Sequence, residues 1–190
     1  MSKELNKYLH AYTGDNIYDF DNNILLNWYS KRIIELTNSN ESLLELGLGH
    51  GFTALNFSKF FKKHLILDGS NEIINNFKKK YPNFKSRIHE TYFENFETDE
   101  KFDLIVMGFI LEHVDNPVEI MKYYKQFLTP NGRMFLSVPN AEVMNRKLGK
   151  LSGLLEDVTE LSENDILLGH QRFYTRETFI KDIELSGLEV

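Results

Sequence analysis

Cysteine is absent from the 190 residues, and that absence excludes a disulfide framework, a thiolate metal site and a catalytic thiol. Apolar runs long enough to span a membrane are also missing. The opening stretch MSKELNKYLHAYTGDN has neither a long apolar centre nor a small-residue cleavage site, so no secretory signal is expected. Basic charge is scarce: 22 Lys and Arg stand against 28 Asp and Glu, a formal net charge of −6. A nucleic-acid binder needs a basic face to displace counterions, so no nucleic-acid partner is expected. The one long basic run, Lys78-Lys79-Lys80, falls at the end of a predicted helix, where cations complement the dipole. It reads as a solvated helix end rather than a phosphate patch. The expectation is a cytoplasmic protein with no membrane partner.

What is present is a rhythm. The length suits one domain over 1–190. From residue 42 onward short apolar runs alternate with amphipathic stretches. Ser42–Leu46, His64–Asp68, Lys85–His89, Asp103–Met107 and Arg133–Val138 are predicted strands. Between them, Ala54, Phe57, Phe60 and Phe61 recur at helical spacing, as do Ile73, Ile74, Phe77 and Tyr81. Asn116, Pro117 and Glu119 make a helix start, with a capping side chain, a first-turn proline and an acid at the third position. Pro130-Asn131-Gly132 reads as a turn, and a last helix runs from a cap at Thr175 to Gly187. Strands alternating with helices predict a doubly wound α/β fold, with a parallel sheet covered on both faces. Residues 1–40, rich in aromatics (Tyr8, Tyr12, Tyr18, Phe20, Trp28, Tyr29), read as a helical cap. Residues 140–174 read as a lid or irregular insertion.

Ligands of such sheets bind beyond the C-terminal strand ends. The first strand there runs into Glu45-Leu46-Gly47-Leu48-Gly49-His50-Gly51, whose glycines let the backbone approach a ligand closely. Asp68, ending the second strand, stands where a carboxylate can accept from both ribose hydroxyls. The dinucleotide fingerprint G-x-G-x-x-G fails at its last position, which is Phe52.

Read together, the segments resemble class I S-adenosylmethionine (SAM)-dependent methyltransferases. Leu44–Gly51 is similar to the family's first motif. Phe102–Val106 followed by Leu111-Glu112-His113-Val114 resembles the fourth-strand motif of the branch that includes ubiquinone-biosynthesis O-methyltransferases. Leu128–Gly132 with Ser137–Asn140 resembles the fifth-strand region. Gly169–Thr175 looks like a late segment of relatives acting on sugars and other small metabolites. The resemblance implies a Rossmann-like fold, SAM as cofactor and S-adenosyl-L-homocysteine as product. It implies Glu45, Gly47, Gly49 and Gly51 around the methionine end, with Glu45 meeting the SAM ammonium or holding the loop. Asp68 would bind the ribose, and Tyr92 and Phe93 would line the adenine, although Phe93 also suits the core.

Methyl transfer to a hydroxyl requires removal of its proton, and a histidine is the usual base. His113 and His170 are the candidates, His113 with the alternative of a loop histidine bonded to a backbone carbonyl. His170 sits beside Arg172 and Tyr174, and its alternative is to hold the lid in place. Arg172 is either a phosphate partner or a solvated or capping residue. Some relatives bind a divalent metal through a Glu-x-x-Glu-His run here. Phe109 replaces the first acid, so no metal is expected, an improvised site through His170 having been weighed against. The expected acceptor is a small polar molecule, methylated on oxygen in preference to nitrogen, of the sugar-nucleotide or phosphorylated amino-alcohol kind. The rivals are an NAD-dependent oxidoreductase, an aminopropyl transferase and a SAM-binding scaffold without turnover. Leu188-Glu189-Val190 reads as the start of a sixth strand. With no strand to follow it, the edge of the fifth is expected to be covered by 140–174 or by a second copy in a homodimer.

Overall fold

Ser42–Leu46 (β1) is buried at all five positions, a pattern that suits only a central strand covered on both faces. The computed structural model describes Tyr8, Leu9, Tyr12 and residues 19–37 and 39–190; Tyr18 of the expected cap lies outside them. Among the described residues a first helix, α1, covers Asp19–Leu36. The chain continues through β1, α2 (Phe52–Phe57), β2 (Lys63–Asp68), α3 (Asn71–Lys80) and β3 (Arg87–Glu90). It then forms β4 (Phe102–Gly108), α4 (Pro117–Lys125), β5 (Leu128–Ser137), α5 (Met144–Leu151), α6 (Glu163–Leu167) and α7 (Arg176–Leu185).

The sheet order is β3-β2-β1-β4-β5, with β1 parallel to both β2 and β4 and β2 parallel to β3. The order reverses beside β1, and in open α/β sheets ligands bind at such a switch point, beyond the C-terminal strand ends. This is the expected Rossmann-like α/β fold. No described helix is long and apolar enough to cross a membrane.

Packing divides the chain into two compact units, residues 1–107 with 127–135 and residues 108–126 with 136–190. In the first, Tyr29 and Ile33 of α1 pack with Leu43, Phe57, Leu104 and Val106, and Phe135 joins them. A second cluster unites Leu48, Ala54, Ile66, Ile74 and Phe77. Ser70 caps α3 by accepting from the Ile73 N–H at 3.3 Å, and Lys78, Lys79 and Lys80 fall in its last turn as expected.

In the second unit Asn116 accepts from the Glu119 N–H at 3.2 Å and Pro117 opens α4, as the motif requires. The Glu119 carboxylate turns outward to Lys122 instead of back to the cap. Thr175 and Thr178 cap α7 reciprocally, and Gly187 follows its end at φ 76°. Residues 140–174 hold two short helices, α5 and α6, neither with a fully buried residue. A parallel bridge between Asn140 and Tyr174, with Ala141 N–H donating to the Tyr174 carbonyl at 2.7 Å, pins the ends of this segment together.

Four local expectations change. The strand expected at Lys85–His89 lies at Arg87–Glu90, because pairing with Leu65–Asp68 and not apolarity sets its register. The helix after the glycines stops at Phe57, and Phe60 and Phe61 follow in a turn. Pro130-Asn131-Gly132 lies inside β5, which has 10 residues beside the 7 of β4. A side chain at Gly132 would come within 2.8 Å of the Phe102 carbonyl, so only glycine lets this extra length pass so close to β4. Leu188–Val190 form no strand.

Candidate functional site

β1 delivers the chain into the glycine loop, where Gly47, Gly49 and Gly51 have φ of 83°, 48° and 78°. Those angles lie in the left-handed region, which side chains with a Cβ rarely adopt. Gly51 carries a further constraint, since a Cβ there would run into the Phe77 ring of α3.

Two buried carboxylates hold this loop. Asp68, at the end of β2, accepts from the Leu48 N–H at 2.9 Å through one oxygen and from the Ser70 N–H at 2.8 Å through the other. Burial pushes its carboxyl up, and the N–H groups of Ser70, Leu48 and Gly49 pull it back down. The Thr91 N–H donates to the Asp68 carbonyl at 3.0 Å, so the segment leaving β3 into Tyr92 and Phe93 starts beside the end of β2. Tyr92 precedes the 3₁₀ turn Phe93–Asn95, and both rings are half-buried. The glycines, Asp68, Tyr92 and Phe93 therefore gather at one set of strand ends.

Glu45 is 2 % exposed. One of its oxygens accepts from the Thr53 hydroxyl in the first turn of α2, and the other lies 2.9 Å from His64 Nε2 on β2. Of the two roles the sequence left open, this geometry is that of a group holding the loop. His64 Nδ1 continues to Ser86 Oγ at 3.0 Å. Sequence reasoning missed both Thr53 and His64. The available signal was a carboxylate inside the buried strand SLLEL, which requires a buried partner. From the N-terminal side Tyr12 meets His50 edge-on at 5.1 Å, and Asn22 Nδ2 lies 3.3 Å from His50 Nε2. Burial is the main influence holding His50 below its ordinary value.

The second unit brings His113 and His170 together, with ring centroids 4.8 Å apart. The Gln171 N–H donates to the Glu112 carbonyl at 2.8 Å, pulling the late segment onto the loop after β4. Arg172 donates to the carbonyls of Leu111, Val114 and Asp115, so its guanidinium clamps that loop. The phosphate role weighed for Arg172 gives way to this clamp, since its donors are directed at the chain's own carbonyls.

His113 Nδ1 lies 3.2 Å from the Gly169 carbonyl, the backbone contact weighed for it. Burial, then the neighbouring His170, lowers His113 to about 4. His170 Nδ1 faces Asp165 Oδ1 at 3.5 Å, and burial lowers this ring despite that carboxylate. Glu112 is 1 % exposed and its Oε2 has no hydrogen-bond partner. Burial pushes its carboxyl up to about 8. Ligand atoms of Glu112, His113 and His170 lie within 4.8 Å of one another. Phe109, in the place of the missing acid, has φ 58°, a strained value for a bulky side chain.

Ubiquinone biosynthesis O-methyltransferase, mitochondrial, of Dictyostelium discoideum is 26 % identical over 126 residues, covering 58 % of this chain and 39 % of that protein. The chain thus spans well under half of that relative's length. A SAM-dependent methyltransferase from Leishmania major superposes with a TM-score of 0.73 at 14 % identity, covering 97 % of this chain and 73 % of the other. The N-methyltransferase NodS from Bradyrhizobium japonicum, in complex with S-adenosyl-L-homocysteine, gives 0.53 at 19 % identity, covering 64 % and 62 %. These two likenesses concern the fold. A methyltransferase-domain family model matches residues 23–190, most of α1 and the whole sheet with all that follows it, and the chain belongs to that family.

Proposed function

We propose that the chain binds SAM on the glycine loop and transfers its methyl group to an oxygen, in preference to a nitrogen, of a small polar acceptor. The observation that carries this reading is the gathering of Gly47, Gly49, Gly51, Asp68 and Tyr92 at the ends of β1, β2 and β3, in a chain of the methyltransferase-domain family. The S-adenosylhomocysteine complex of NodS supports the choice of cofactor. A sugar nucleotide or phosphorylated amino-alcohol suits a polar acceptor, and a cytoplasmic location suits the acidic, cysteine-free composition.

The chemistry is an in-line displacement. The acceptor oxygen bonds to the methyl carbon as the carbon–sulfur bond breaks, S-adenosylhomocysteine leaves, and the hydroxyl proton passes to a base. His170 fits that task better than His113. Asp165 stands beside Nδ1 and favours the tautomer that leaves Nε2 free to accept. His113, lowered to about 4, is the weaker base. Positioning the acceptor contributes several kcal/mol of the roughly 7–11 available from orientation. Purified protein incubated with SAM and pooled metabolites should yield a methylated product by mass spectrometry. SAM binding without turnover across such pools would favour the scaffold, and NADH binding without SAM binding would sink the reading.

A second reading rests on Glu112 Oε2, buried without a partner beside two imidazoles. Two histidines and a carboxylate suit a divalent transition metal. Here Glu112, His113 and His170 would hold the ion, which would lower the acceptor hydroxyl's pKa. Calorimetric titration of chelator-stripped protein with Mn²⁺ or Zn²⁺ tests it; heats unchanged by Glu112→Gln dismiss it. The edge position of β5 also supports a homodimer through that side, which a monodisperse monomer in light scattering at micromolar concentration would exclude.

A further inference from the structure

We propose that Thr53, Glu45 and His64 form a staple that fixes the glycine loop in its binding shape, making Thr53 and His64 positioning residues for the cofactor. The inference rests on the reading of that loop as the SAM site. It assigns a task to two residues that need not touch the ligand.

The Thr53–Glu45 bond joins residues eight apart in sequence, near the end of β1 and in the first turn of α2. Everything between them is the glycine loop, so this one bond closes the loop from both ends. Three glycines give that segment large conformational freedom when it is unrestrained. A loop that must be ordered on binding costs affinity, and one already ordered does not. Gly51, directly before α2, has no side chain to cap the helix, and the side-chain bond at that end runs from Thr53 to Glu45.

His64 engages the second oxygen of Glu45 and so fixes the direction of the carboxylate. The side chains of His64 and Glu45 are 1 % and 3 % exposed, so water does not replace either bond. Register explains the reach. Leu43 pairs with His64 and Glu45 with Ile66, so Glu45 and His64 lie on one face of the sheet, two rungs apart. The carboxylate is thereby drawn back toward the start of β2, away from the strand ends where the ligand binds. Ser86 holds the other ring nitrogen, and Phe57 of α2 meets the ring edge-on at 6.1 Å. The ring is fixed on every side by the chain itself.

The test is a set of variants titrated with S-adenosylhomocysteine by calorimetry, with turnover measured alongside. Thr53→Val keeps the shape and removes the hydroxyl; it should lower affinity about tenfold, in line with one hydrogen bond to a charged group. Thr53→Ser should restore most of it. The loss should appear in KM for SAM much more than in kcat, and the rise in melting temperature on adding ligand should shrink. His64→Leu should weaken binding more than His64→Gln, whose amide N–H still reaches Glu45; if the leucine variant does not fold, the Thr53 pair carries the test. Wild-type affinity in Thr53→Val, or equal loss in Thr53→Val and Thr53→Ser, overturns the staple. A wild-type protein that binds no S-adenosylhomocysteine overturns the cofactor assignment, and the staple with it.

Discussion

In the unit that carries the glycine loop, Glu45 and Asp68 have partners on both carboxylate oxygens, whereas in the other unit Glu112 keeps Oε2 buried with none. The first pair shapes a loop whose geometry is complete without a ligand. The second arrangement is expensive in free energy, since a buried polar atom without a partner costs about 1–3 kcal/mol. Such costs concentrate where a ligand, ion or proton relieves them. On the proposed reading, the contrast teaches a division of labour: recognition of the cofactor is built into the resting chain, and the chemistry is left for the acceptor to complete.

Four measurements break or sharpen that comparison. The largest effect is expected at His170. His170→Ala should lower turnover by about 10²–10⁴ while leaving S-adenosylhomocysteine affinity nearly intact. A loss confined to the acceptor KM would make His170 a binding residue instead. On the other side, Asp68→Ala removes the carboxylate that fixes Leu48 and Ser70. Cofactor binding should weaken by roughly 1.5–3 kcal/mol in calorimetry, and unchanged affinity would take Asp68 out of the site. Next comes Arg172→Met, which strips three carbonyls of their donor. It should cost about 1–2 kcal/mol in urea melts and reduce turnover without touching cofactor affinity, because the loop carrying His113 loses its clamp.

The last measurement is a pH dependence. Burial lifts the Glu112 carboxyl from 4.5 to about 8, so the folded chain keeps a proton that the unfolded chain has released. The group's contribution to stability is therefore full below about pH 4.5 and is lost as pH rises through about 8. Glutamine has no such proton to lose. In chelator-treated protein Glu112→Gln should raise the melting temperature more at pH 8 than at pH 5, by on the order of 2–4 °C for each kcal/mol gained. An equal shift at both pH values would show that the carboxyl is solvated.

Much of the scaffold was legible because it is local. Leu104–Met107 is an unbroken apolar run, and Asn116-Pro117 and Thr175 are caps whose function depends on neighbours within three residues. What stayed hidden depends on distance in sequence. His113 and His170 are predicted separately, and bonds between the two distant segments, such as Gln171 to Glu112, His113 to Gly169 and the Arg172 clamp, bring them into one cluster. Glu45 was visible as a residue of the motif, but its partner His64 belongs to another strand, and register rather than spacing unites them. β5 was read as starting after Gly132 because Pro130 and Gly132 signal a turn. Pairing beside β4 overrode that signal, and the strand begins at Leu128. The helices within 140–174 are of 8 and 5 residues, too short for periodicity to reveal.

One packing detail reaches into how the sequence can drift. The ring of Phe77 fills the space that a side chain at position 51 would occupy. Positions 51 and 77 therefore form a suppressor pair. Alanine at 51 in the native background displaces an aromatic ring from the core, and the same change after Phe77→Ala finds room. Rescue would stop short of complete, because φ at 51 stays at 78° and a Cβ resists that angle however much space surrounds it. A selection for restored folding of Gly51→Ala should thus return small residues at 77 before changes anywhere else in α3.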